Sequence, residues 1–204
     1  MPQTFIMDFD DFTVHRNMEL LLKIKEHYPN FRVTAFTIPY AQGLSVEERF
    51  EEKYKEWAEL IKTYDWIEVG VHGLAHGFGE CDIADYDEVE KFMKATEELL
   101  DRIGIKYSKI FKAPYWIMSE TFYDYLKARG WVVAVDRNNI PAYSKNDYIY
   151  NWSFDEPIPT GSIINGHGHF IGTNNGIDVC FSNLLKLPTD AEFLTIGESL
   201  NGGN

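Results

Sequence analysis

The feature that most constrains this chain is an alternation of short apolar runs with longer amphipathic ones, in which most apolar runs end in a residue capable of chemistry. Phe5-Ile6-Met7 leads into Asp8-Phe9-Asp10-Asp11-Phe12, and Trp66 to Val71 stops at His72. Lys109 to Lys112 stops at Ala113-Pro114-Tyr115, Trp131 to Val135 at Asp136, and Ser162 to Asn165 leads to His167. Runs of this kind read as buried strands, and Arg32 to Ile38, Tyr148 to Tyr150 and Phe193 to Ile196 read likewise. Between them, residues 16–28, Val46 to Tyr64, Asp85 to Ile103 and Ser119 to Arg129 carry apolar positions at helical spacing. Ser45 with Glu48 has the form of a capping box, Gly104 closes the third helix and Ser119 caps the fourth. Strand–helix alternation predicts an α/β fold with a largely parallel sheet. The carboxyl ends of such strands share one face, so the polar residues that follow them should converge there.

The length of 204 residues suits one domain spanning 1–204. Hydrophobic residues at 45% supply a sizeable core. With 19 basic against 32 acidic residues, a net charge of −13 would repel a phosphate backbone, so nucleic acid is not expected as a partner. No apolar run is long enough for a membrane span, and no basic segment followed by a long apolar run opens the chain. Cys81 and Cys180 form no CxxC pair and read as two thiols in a reducing compartment. The expectation is a cytoplasmic protein. Residues 137–161 read as an irregular connection near the site, and 201–204 as a frayed tail.

Asp10 and Asp11 follow a buried strand. Adjacent residues in extended backbone point opposite ways, so one could bind a metal while the other faces water or substrate. His72 and His76, four apart, would sit on one side of a helical turn and, with a carboxylate, make a two-His, one-carboxylate metal site. After the fourth strand, a backbone N–H near Pro114 could serve an oxyanion, and Tyr115 and Trp116 could stack on sugar rings. Of His167 and His169, one could protonate a leaving amine or add a metal ligand.

In order and spacing these segments resemble the polysaccharide deacetylase family, the NodB-homology group of carbohydrate esterases (family 4). Asp8-Phe9-Asp10-Asp11-Phe12 resembles the family's Thr-Phe-Asp-Asp-Gly. Glu68-Val69-Gly70-Val71-His72-Gly73-Leu74-Ala75-His76 resembles Glu-Ile-Gly-Asn-His-x-x-x-His. Lys112-Ala113-Pro114-Tyr115 resembles Arg-x-Pro-Tyr, Gly161 to His167 resembles the Gly-Ser-Ile-Ile-Leu-x-His strand, and Phe193 to Leu200 resembles the closing segment.

The resemblance implies a distorted (β/α) barrel of about seven parallel strands and one divalent metal ion, zinc before nickel, cobalt or manganese. Asp11, His72 and His76 would hold the ion, Asp10 would be the general base, His167 the general acid with His169 as its competitor, and the Tyr115 N–H an oxyanion donor. Lys112, Pro114, Trp116 and Asp136 would contact an N-acetylated sugar or glycan, and Asp8 would stand behind the ligands. The implied reaction is hydrolysis of the N-acetyl group. Two other readings are a hydrolase of another acyl or amide substrate and a catalytically impaired carbohydrate-binding protein on the same fold. The chain departs from the family at Lys112 for Arg, Phe12 for Gly and Asp8 for Thr. Where an Asp-Trp pair is expected, it has Asn139-Ile140.

Overall fold

The computed structural model describes residues 2–14, 18–40, 48–145, 147–169 and 181–201, without the side chains of 48–51. Ser45, Cys180 and residues 202–204, for which the sequence carries expectations, lie outside them, as does the Glu48 side chain. The strands are β1 (Thr4–Phe12), β2 (Val33–Thr37), β3 (Ile67–Val71), β4 (Ile110–Lys112), β5 (Val132–Val135), β6 (Tyr148–Ile149), β7 (Trp152–Ser153), β8 (Ile163–His169) and β9 (Glu192–Leu194). The helices are α1 (Met18–His27), α2 (Glu48–Ile61), α3 (Tyr86–Ile103), α4 (Glu120–Ala128) and α5 (Ile196–Asn201). Asp85 caps α3 by accepting the Glu88 N–H, Gly104 ends it in the left-handed conformation, and Ser119 caps α4 by accepting the Phe122 N–H. Among the described residues no helix is long and apolar enough to cross a membrane.

Among the described residues the sheet has nine strands, all paired in parallel, in the order β6-β5-β4-β3-β2-β1-β8-β7, with β9 beside the first residues of β1. This is the distorted barrel expected, with more strands than about seven: β6 and β9 lie where the sequence reads strands, and β7, inside the stretch read as irregular, is an addition. Alternation along the strands divides the apolar residues. Phe5, Met7, Val33, Ala35, Val69, Phe111 and Val133 pack in one cluster with helix residues such as Leu21, Met93 and Phe122. Ile6, Phe36, Ile110, Ala134, Tyr148 and Tyr150 form a second, smaller cluster, the packed interior of the barrel.

The barrel is closed by one segment shared between its two edges. Tyr148 and Ile149 pair with β5, and Trp152 and Ser153, a few residues on, pair with β8. Asn165 of β8 clasps the junction. Its Nδ2 donates to the Ile149 carbonyl at 2.8 Å, its N–H donates to Asn151 Oδ1, and its carbonyl accepts the Asn151 N–H. The polar residue that interrupts an apolar strand in the sequence is thus the seam of the barrel.

Candidate active site

The first strand carries three carboxylates, and it runs through them rather than ending before them. Asp8, Asp10 and Asp11 are 0%, 2% and 3% exposed. Asp8 and Asp10 lie on the same face as Ile6. Asp11 would face the helices in a regular strand, but between Phe9 and Phe12 the register against β2 shifts by a bulge, and Asp11 takes a left-handed φ of 64°. As a result both neighbours reach one imidazole. Asp10 Oδ2 and Asp11 Oδ1 lie 3.8 and 3.9 Å from His72 Nε2. The expectation that Asp10 and Asp11 diverge is corrected by this bulge.

His72 directly follows β3, and the residues after it form a loop instead of the expected helical turn. Gly73 and His76 adopt φ of 67° and 58°, which folds the chain back and brings the two imidazole centroids to 5.1 Å. Glu80, unremarked in the sequence, orders this loop: its carboxylate accepts the N–H groups of Leu74, Ala75, His76 and Gly77 at 2.9–3.2 Å. A Cβ on Gly73 would lie 1.9 Å from Glu80 Oε1, so glycine is needed there for space as well as for its φ.

Asp11, His72 and His76 form a cluster whose ligand atoms all lie within 4.8 Å of one another. His72 Nδ1 is engaged with the Lys112 carbonyl at 2.9 Å, which leaves Nε2 facing the carboxylates. Burial pushes the His72 pKa below its ordinary value, against the pull of Asp10 and Asp11, so the ring is neutral and fit to be a ligand. Asp11 Oδ1 is buried and makes no hydrogen bond, with His76 Nε2 at 3.1 Å. An orphaned carboxylate oxygen between two imidazoles is what a bound cation would satisfy, and the donor set suits a borderline divalent ion.

Asp10, His167 and His169 form a second cluster. Asp10 Oδ1 accepts from Lys112 Nζ at 2.8 Å, and Asp10 Oδ2 lies 3.8 Å from His167 Nε2 and 3.7 Å from His169 Nδ1. Burial alone would raise the Asp10 pKa. The Lys112 ammonium and the imidazoles of His72, His167 and His169 outweigh it and hold the carboxyl well below the usual range. Lys112 is itself fully buried, donates also to Asp8 Oδ1 at 2.5 Å, and lies 4.2 Å above the Phe36 ring. Both histidines belong to β8, whose Gly168 admits Phe154 against the backbone: a Cβ there would lie 2.3 Å from that ring. The glycine beside the imidazoles is a packing requirement as well.

A cleft of about 610 Å³ opens over these groups, lined by Asp10, Asp11, His72, His76, Tyr115 and Trp116 together with His169 and Phe78. Tyr115 and Trp116 hold left-handed φ of 55° and 61°, strain that non-glycine residues sustain where the surroundings enforce it. Tyr115 packs on His76 at 4.9 Å and on Phe78 at 5.4 Å, and Phe78, 80% exposed, forms the outer rim. Of the residues expected to touch substrate, Trp116 lines the cleft, whereas Lys112 and Pro114 are buried beneath it. Asp136 is turned away, its Oδ1 taken by the Tyr150 hydroxyl and the Asn138 N–H.

No protein-family model and no curated protein matches the sequence. Solved structures do match. A chitin deacetylase from the fungal pathogen Colletotrichum lindemuthianum superposes with a TM-score of 0.63 at 18% identity, over 97% of this chain and 87% of that one. The peptidoglycan deacetylase PdaC from Bacillus subtilis superposes with a TM-score of 0.63 at 15% identity, over 98% and 91%. A carbohydrate esterase family 4 pseudoenzyme from Bacillus anthracis also superposes, with a TM-score of 0.63 at 12% identity over 97% and 65%. The chain therefore has the deacetylase fold that the sequence motifs resemble, a fold carried by enzymes and by a pseudoenzyme alike.

Proposed function

We propose that the protein is a divalent-metal-dependent hydrolase that removes the acetyl group from the nitrogen of a sugar or glycan. The observation that carries this reading is the position of Asp10 Oδ2, 3.7–3.8 Å from His72 of one cluster and from His167 and His169 of the other. A base so placed lies between a metal-binding triad and an acid, the order in which water attack and departure of an amine require them.

Buried charge supports the ion. Three buried carboxylates against the single Lys112 ammonium leave two negative charges beneath the cleft when the imidazoles are neutral, and a divalent cation held by Asp11, His72 and His76 would balance them. Such an ion would supply polarisation of the acetyl carbonyl and acidify water, and zinc, nickel, cobalt or manganese fit the donors. Asp10, kept ionised by Lys112, takes the proton of the attacking water. The Tyr115 N–H donates to the oxygen on which charge develops. His167 returns a proton to the sugar nitrogen, releasing acetate and an amine. The aromatic rim of Phe78, Tyr115 and Trp116 suits a sugar face, and the names of the structural neighbours point to acetylated glycans. The cytoplasmic location expected from the sequence belongs to this proposal and favours a soluble sugar over a wall polymer.

The test joins elemental analysis to an assay of acetate release from N-acetylglucosamine oligomers, with O-acetyl esters as the contrast. One equivalent of metal, activity abolished by chelation, and an Asp10→Asn variant that keeps metal but loses turnover are expected. A fully active Asp10→Asn would sink the mechanism. Sugar binding without acetate release after reconstitution with several metals would place the chain with the pseudoenzyme.

A further inference from the structure

We infer that Asp8 is the positioning carboxylate of His167: it holds the imidazole as the Nδ1–H tautomer and so leaves Nε2 as the nitrogen that carries and delivers the proton. The inference rests on the deacetylase reading for the destination of that proton but not for the tautomer.

Asp8 and His167 are register partners on the adjacent parallel strands β1 and β8. Asp8 Oδ1 lies 2.7 Å from His167 Nδ1, with both side chains buried. Lys112 Nζ lies 3.2 Å from the same nitrogen. The two contacts make opposite demands, because a carboxylate oxygen can only accept and an ammonium can only donate. The Asp8 oxygen already accepts from Lys112 at 2.5 Å. A bare Nδ1 lone pair 2.7 Å from that oxygen would be repulsive, so the proton sits on Nδ1 and the longer Lys112 contact is electrostatic. The far nitrogen, Nε2, faces Asp10 Oδ2 and His169 Nε2.

The other groups around His167 do not compete for Nδ1. The Tyr150 and Trp116 rings pack on the imidazole at 4.8 and 5.3 Å, Asp136 is engaged by the Tyr150 hydroxyl, and the Tyr148 hydroxyl donates to the Ile6 carbonyl. Asp8 thus does for this histidine what a buried carboxylate does for any acid–base imidazole: it selects the tautomer and steadies the imidazolium. It comes from the same strand as the base, and Lys112 bridges the two carboxylates.

Long-range ¹H–¹⁵N NMR of the imidazole nitrogens, with His167→Gln to assign the signals, reads the tautomer directly in the metal-loaded wild-type protein. A neutral ring protonated on Nδ1, with that preference lost in Asp8→Asn, is expected. An Nε2–H ring in the wild type, a measurement that needs no variant to fold, overturns the inference, and so does a tautomer unchanged in Asp8→Asn. With an acetylated sugar that the enzyme turns over, Asp8→Asn should lower kcat by about 10²–10⁴-fold with KM and metal content little changed. A kcat within about twofold of wild type overturns the role of Asp8 in catalysis.

Discussion

His72 Nδ1 lies 2.9 Å from the backbone carbonyl of Lys112, so the residue whose side chain restrains the proposed base also orients, through its main chain, the first of the two imidazoles proposed to hold a metal. Strand β4 therefore aligns both halves of the site. In metal enzymes such a partner fixes which ring nitrogen is free for the ion. Replacing His72 or His76 by alanine should reduce affinity for zinc by at least about 10²-fold. Elemental analysis after dialysis against a weak chelator checks this, with far-ultraviolet circular dichroism confirming that the variants fold.

The fold and the clustering of Asp11 with His72 and His76 were legible because they rest on local pattern: apolar runs that stop at Asp or His, and a His-x-x-x-His that follows a strand. Three features were not. The convergence of Asp10 with Asp11 depends on a bulge set by pairing with β2, and alternation along an ideal strand predicts the opposite. The His72–His76 pair sits on a loop folded by Glu80, a residue whose only sequence signal is its place just after the glycine-rich stretch. The link between Asp8 and His167 spans 159 residues, and no local pattern encodes it.

Lys112→Met should be strongly destabilising. It strands Asp8 and Asp10, both buried, without their cation. Removing one partner of a buried pair costs about 3–5 kcal/mol. Urea denaturation of the metal-free protein should show this loss, and added zinc should raise the Tm of the variant more than that of the wild type.

Glu80→Ala removes the acceptor of four backbone N–H groups while leaving every proposed ligand in place. The loop that presents His76 then loosens. Metal affinity should fall about 10–100-fold, as for other outer partners of metal ligands, and saturating metal should restore most of the activity. Titration with a fluorescent zinc competitor measures the first effect, and kcat at high zinc the second.

Phe78→Ala changes a side chain that is 80% exposed, so stability should stay within about 0.5 kcal/mol of wild type. If the rim holds a sugar face, KM for an oligosaccharide should rise about tenfold, consistent with the 1–3 kcal/mol typical of ring stacking by aromatic side chains. Metal content should not change. Steady-state kinetics over a series of oligomer lengths would detect the effect.

Asn165→Leu replaces the clasp by the residue an apolar strand would carry. The Ile149 carbonyl loses its side-chain donor at the seam of the barrel. Leaving such a group unpaired costs about 1–3 kcal/mol. Guanidinium unfolding should show a lower midpoint with little change in slope.

The order of assembly along the chain has a consequence for how the protein is made. β1, which holds all three carboxylates, pairs along one edge with β8 and, at its first residues, along the other with β9, strands drawn from the last quarter of the sequence. A growing chain that has not reached β8 can bring Asp11, His72 and His76 together but lacks His167 and His169, the candidates for the proposed proton donor. Its first strand waits with one edge open while the rest is synthesised, a long-range closure of the kind that slows folding and exposes a strand edge to neighbours. The last groups of the proposed site thus arrive late in synthesis, together with the piece that seals the barrel.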